Sequence, residues 1–115
     1  MPRSTACADS KPRPGKAGKD DMEIQEFQQQ MQALYGEADR KRGIDATVAW
    51  LAEELGELAQ AVRKGTPAKQ LHELGDVLAW IASLANQLEL DLESAAQRFK
   101  LSCPKCSQLP CKCGA

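Results

Sequence analysis

The sequence predicts an all-α protein, a four-helix bundle formed by residues 22–102 and completed by dimerisation, and three observations predict it. Apolar side chains recur at three- and four-residue spacing along several stretches. A Gly65-Thr66-Pro67 stop-and-start signal divides the two longest of them. Two acidic motifs, Glu53-Glu54-Leu55-Gly56-Glu57 and Glu73-Leu74-Gly75-Asp76, lie at matched distances on either side of that signal.

The elements follow in order. A first helix is expected from near Asp20 or Asp21, with Glu23 placed for a capping box and an apolar stripe through Ile24, Phe27, Met31, Leu34 and Tyr35, ending around Arg42 and Gly43. A second, over residues 45–64, is expected to bury Leu51, Leu55, Leu58 and Val62. Gly65 suits the position just past its end, Thr66 can cap the next helix, and Pro67 fits a first turn, so the third helix, residues 67–88, should fold back as a tight antiparallel partner. Leu74, Val77, Ile81, Leu84 and Leu88 share one arc of it, with Glu73 inside that arc and Asp76 at its edge. A shorter fourth helix starts at an Asp91 cap and runs towards Phe99 and Lys100. Residues 1–21 hold three prolines, two glycines and five basic side chains with almost nothing to bury, so a disordered basic tail is expected, and neither it nor Cys7 is assigned chemistry.

The acidic spacing carries the chemistry. Residues three or four apart share a helix face, so Glu54 pairs with Glu57, and Glu73 with Asp76. Glu57 and Glu73 are each eight residues from Gly65, and Glu54 and Asp76 each eleven. At about 1.5 Å rise per residue the two pairs stand at equal heights, roughly 12 and 16 Å from the turn. Carboxylates directed into a core need neutralising, and a hard cation such as Mg²⁺ or Mn²⁺ with several oxygen ligands does so. Interior glycine weakens a helix, and close approach of the two helices at the site would account for Gly56 and Gly75.

A second metal site is expected at the C-terminus. Cys103, Cys106, Cys111 and Cys113 place four thiols within eleven positions, a set able to surround one tetrahedral Zn²⁺. Such a closed site is structural, so residues 103–115 are read as a zinc knuckle, with Lys105 and Lys112 offsetting thiolate charge.

Composition bounds the rest. At 115 residues, 43% hydrophobic and 27% charged, the chain is expected to be one small domain with tails. No apolar run is long enough for a membrane span and no secretory leader is evident, so a cytoplasmic location without membrane attachment is expected. Residues 1–21 carry a net +2 (five basic, three acidic) and residues 22–102 a net −5 (eight basic, thirteen acidic). The acidic helical region argues against a nucleic-acid polymer as partner. Four helices in about eighty residues bury limited area, so a homo-oligomer, most simply a dimer, is expected.

Residues 22–100 resemble the MazG-type nucleotide pyrophosphohydrolases, an all-α group marked by Glu-Glu-x-x-Glu followed by Glu-x-x-Asp, and both motifs are complete here. The resemblance implies hydrolysis of nucleoside triphosphates to the monophosphate and pyrophosphate. It implies Glu54, Glu57, Glu73 and Asp76 as Mg²⁺ ligands, and Glu53 as a residue behind them or the base that orients the attacking water. Trp50 and Trp80, one turn from Glu54 and Asp76, are placed to stack on a nucleobase or to pack in the core. Arg98 and Lys100 on the last helix are the expected phosphate contacts, with Arg40, Lys41 and Arg42 as substitutes. His72 is expected to point away from the site. Two other functions fit the same chain: a non-enzymatic helical adaptor with structural metal sites, and a related hydrolase acting on a phosphoribosylated intermediate or a nucleoside diphosphate.

Overall fold

A computed structural model describes residues 21–114, which contain four α-helices and no strand. The expected basic tail and Cys7 lie outside the described residues, apart from Asp21. Helix α1 spans Ile24–Arg42, α2 Ile44–Lys64, α3 Pro67–Gln87 and α4 Leu92–Ala96, the last extended by a 3₁₀ turn over Gln97–Phe99. The all-α, four-helix fold expected from the sequence is present.

Boundaries follow local chemistry. Glu23, rather than an aspartate before it, is the N-cap of α1, and Glu26 closes the capping box by accepting from the Glu23 backbone N–H at 2.9 Å. Gly43 alone separates α1 from α2; its φ of 91° lies where a side chain is strained, and its N–H donates to Asp39 at 3.0 Å. Gly65 ends α2 in an extended conformation rather than a left-handed one. Glycine is needed there for space, because a Cβ would stand 2.7 Å from the Ala61 carbonyl oxygen. Thr66 caps α3 by accepting from the Lys69 N–H at 3.2 Å, with Pro67 in the first turn, and Asp91 caps α4 through Ser94.

Helices α2 and α3 form the antiparallel hairpin, and α1 packs chiefly on α3. A buried amide clamp fixes the far end. Gln28 donates to Asn86 at 2.9 Å and to the Leu90 carbonyl at 2.8 Å, and accepts from the Leu92 N–H at 2.7 Å. One side chain of α1 thereby holds the end of α3 and the start of α4.

The buried faces differ from the expected ones. On α2 the residues turned inward are Thr47, Glu54 and Ala61, seven apart on one stripe, whereas Leu55 and Val62 are 55% and 64% exposed. On α3 the inward face is Glu73, Asp76, Val77, Trp80 and Ser83, and Leu74 and Leu88 lie outside. Ile24 and Leu34 of α1 are also exposed. The hairpin thus turns Glu54, Glu73 and Asp76 inward, while Leu55, Val62, Leu74 and Leu78 face outward and Leu51, Leu58 and Leu84 are half-buried. The two-residue connection brings like heights of α2 and α3 together, and on α2 Glu54 lies on the same inward stripe as Thr47 and Ala61.

Gly56 and Gly75 are exposed, and a Cβ at either would meet nothing within 4 Å, so close helix approach does not explain them in the single chain. Gly56→Ala and Gly75→Ala should therefore each raise the stability of the isolated chain, by up to about 1 kcal/mol from helix propensity. Urea unfolding checks this, and destabilisation would mean that another surface lies against those positions.

Candidate metal centre

Glu54 and Glu73 are nearly inaccessible, at 2% and 5% exposure, and Asp76 is buried at 8%. Glu57 is exposed at the rim. Carboxylate oxygens of Glu54, Glu57 and Glu73 all come within 4.8 Å of one another, as do ligand atoms of His72, Glu73 and Asp76. The two helices therefore bring Glu54, Glu57 and Glu73 into one group, and Glu73 belongs as well to a second group with His72 and Asp76. Glu53, next to Glu54 in the chain, is turned to the exposed side of α2.

The donor set fits a hard divalent cation. Oε1 of Glu54 and Oε1 of Glu73 are buried and have no hydrogen-bond partner, a costly arrangement unless an ion takes those lone pairs. Electrostatics agree: burial pushes the Glu54 carboxyl above its ordinary value of 4.5, a hydrogen bond from Trp80 opposes this, and the charges of Asp76, Glu57 and Glu73 add to the rise.

Around this cluster the structure rearranges several expectations. Trp80 is fully buried, its indole stacked on Trp50 at 6.1 Å between centroids and 9° between planes, and its Nε1–H donates to Glu54 Oε2 at 3.3 Å. It has no face free for a nucleobase, which corrects the stacking alternative for Trp80; the partly exposed Trp50 keeps that option. Arg42 is likewise engaged internally. Its guanidinium lies 4.7 Å from the Trp80 ring centroid and donates to Asp39 at 2.7 Å and Thr47 at 3.0 Å.

Arg98 lies over the Phe99 ring at 4.5 Å, and Lys100 lines a cleft with Cys103 and Cys111. Lys64 and Lys69 share a cleft with two of the acids: with Glu57, Gln60 and Glu73 they line a space of about 320 Å³ beside the hairpin turn. Their nearness was available from the turn, which they bracket, but periodicity does not show which lysines overhang a neighbouring helix. His72 is exposed, as expected, yet its Nε2 is 3.5 Å from Asp76 Oδ2, through the i,i+4 relation that the sequence already contained.

Residues 42–105, more than half of the chain, match the MazG nucleotide pyrophosphohydrolase domain. The chain belongs to the MazG family. Comparison with curated proteins gives no match. The match begins at Arg42, so the whole α2–α3 hairpin and its carboxylates lie within the MazG domain, which also reaches Cys103.

The tail beyond α4 forms a second cluster. Cys103 and Cys113 sulfurs stand 3.8 Å apart and those of Cys106 and Cys111 3.9 Å. Four sulfurs about 2.3 Å from a tetrahedral ion would be separated by about 3.8 Å, so the thiols already hold the spacing of such a site. Backbone N–H groups of Lys105, Lys112 and Cys113 point at Cys103, Cys106 and Cys111 at 3.3–3.4 Å, an arrangement that favours thiolates. The N–H groups of Lys112 and Gln108 bring the Cys106 thiol down to about 6, and those of Cys106 and Lys105 lower Cys103. Hydrogen bonding to Cys106, Cys111 and Cys103 pushes Cys113 up to about 11. The cluster is a candidate metal site.

Two outcomes follow for the metal-free protein. Because the folded-state pKa of Glu54 is raised, the folded chain holds that proton more tightly than the unfolded one. Its contribution is full below the unfolded value of 4.5 and is lost as pH rises through the folded value. In chelator, Glu54→Gln should melt above wild type at neutral pH, with the gap narrowing on acidification; a gap independent of pH would contradict the assigned cause. At pH 7 Cys106 should alkylate first and Cys113 last, as read by peptide mass mapping.

Proposed function

We propose that this chain is a Mg²⁺-dependent nucleoside triphosphate pyrophosphohydrolase, converting an NTP or dNTP to its monophosphate and pyrophosphate, with nucleotide-pool cleansing as its role. The single observation that carries the reading is the approach of Glu54, Glu57 and Glu73 across the hairpin, with Asp76 beside Glu73 and with Oε1 of Glu54 and of Glu73 buried and unpartnered. Membership of the MazG family supports the reaction class.

In this scheme Glu54, Glu57, Glu73 and Asp76 hold the cation, and Mn²⁺ can replace Mg²⁺. Bound there, the ion would offset charge on the phosphate oxygens and lower the pKa of a coordinated water. Glu53, at the exposed edge beside the ligands, orients that water or supports a ligand. Lys64 and Lys69 supply positive charge along the cleft that Glu57 and Glu73 share. Trp50 offers the aromatic surface for the base.

The four cysteines hold a structural Zn²⁺ in this reading, supported by sulfur spacings that match a tetrahedral tetrathiolate. Leu55, Val62, Leu71, Leu74 and Leu78 on the outer faces of α2 and α3 are all at least 47% exposed, which supports a homodimer formed across the hairpin. No helix among the described residues is long and apolar enough to cross a membrane, consistent with a cytoplasmic enzyme. An adaptor with the same metals remains the competing function, and phosphoribosylated intermediates or nucleoside diphosphates are competing substrates.

Pyrophosphate release from a panel of canonical and modified NTPs and dNTPs, with Mg²⁺, Mn²⁺ or chelator, tests the proposal. Metal-dependent release is expected, and silence across the panel would favour the adaptor or another substrate. Glu57→Gln and Asp76→Asn should each abolish turnover with helix content near wild type; full activity in either would remove that residue from the ligand set.

A further inference from the structure

We infer that Trp80 is a positioning residue for the metal ligand Glu54, holding one carboxylate oxygen so that the other is presented to the cation. The inference rests on the acidic cluster being a cation site. It goes beyond that reading in giving a buried aromatic residue a role in ion affinity.

The geometry divides the carboxylate into two ends. Trp80 Nε1–H donates to Glu54 Oε2 at 3.3 Å, whereas Oε1 is buried with no hydrogen bond. A carboxylate free to rotate would present either oxygen at any angle. One fixed by a donor on the facing helix presents the same oxygen throughout. The donor is aimed by its own surroundings: the Trp80 ring is fully buried, stacked on Trp50 and overlain by Arg42. Arg42 is held in turn by Asp39 Oδ1 at 2.7 Å and Thr47 Oγ1 at 3.0 Å, and the Asp39 carbonyl accepts from Gln87 at 2.9 Å. Asp39 is 1% and Thr47 0% exposed, so the bracing is sheltered from water. Helices α1, α2 and α3 each contribute to a chain of contacts that ends on Glu54.

Indole is suited to the task. It donates one hydrogen bond and accepts none, so it cannot compete with the carboxylate for the cation, and its ring is large enough to be locked by packing. It also partly stabilises the charged carboxylate against burial, the charge a metal ligand requires.

Trp80→Phe keeps a ring for stacking and deletes the donor. The test is Mn²⁺ titration of the full chain, free Mn²⁺ being counted by its electron paramagnetic resonance signal. Met31→Ala, at a buried position of α1 that supplies no member of the cluster, serves as a control that weakens the core. Trp80→Phe should weaken Mn²⁺ binding by about tenfold or more, the usual scale for removing a group that orients a ligand, while Met31→Ala stays within twofold of wild type. Equal affinity in Trp80→Phe and wild type overturns the inference and leaves the cation site standing. A wild-type chain that binds no Mn²⁺ overturns both.

A second measurement does not need the Trp80 variant to fold. In Trp50→Phe the only indole N–H is that of Trp80, and its ¹⁵N–¹H resonance should shift during Mg²⁺ titration and saturate with the site. A resonance that stays fixed while Mg²⁺ binds removes Trp80 from the role.

Discussion

Like charges facing each other between α2 and α3 are the constraint to which the rest of the structure answers. A hairpin ordinarily closes on its most apolar faces, since burying them is the main favourable term in folding. Here the buried faces carry Glu54, Glu73 and Asp76 among Ala61, Val77 and Trp80, while Leu55, Leu71, Leu74 and Leu78 lie on the outer surfaces. Buried carboxylates of like sign are costly without positive charge between the helices, and the exposed leucines leave apolar surface on the outside. Fold and site are in this sense one problem: the chemistry occupies the position that a core would take in another helical pair.

The remaining buried polar groups support this interior. Arg42 supplies a cation one layer beyond the acids, shielded by Asp39 and Thr47, and Trp80 forms the wall between that layer and the carboxylates. Gln28 and Asn86 close the far end of α3 with paired amides, neutral groups whose hydrogen bonds satisfy one another. Charge is therefore graded along α3, from the open cleft near the turn, through acids and indole, to an uncharged clamp.

Much of this was legible in the sequence because it depends on counting. Helix type, the Gly65-Thr66 reversal and the approach of Glu57 to Glu73 all follow from residue spacing and turn chemistry. Which face meets which partner does not. Leu55 and Val62 have the periodicity of a buried stripe yet lie outside, because periodicity describes one helix and not the neighbour that covers it. The same limit hid the hydrogen bond of Trp80 to Glu54, which joins residues 26 apart, and the Lys64 and Lys69 cleft, where side-chain reach rather than helical position decides. The approach of His72 to Asp76, by contrast, stands at an ordinary helical interval.

The two-residue connection at Gly65 and Thr66 turns the hairpin into a ruler. Each residue of helix advances the chain by about 1.5 Å and rotates it by about 100°. Lengthening either helix by one position between the turn and its acids would swing one pair of carboxylates out of the interface while the other stayed. Length variation along this stretch can be absorbed only by matched insertions of about seven residues, close to two full turns, in both helices, or within the connection itself. The number of residues separating Glu57 from Glu73 is thus a functional quantity in its own right, as binding on the chain as the identity of the acids.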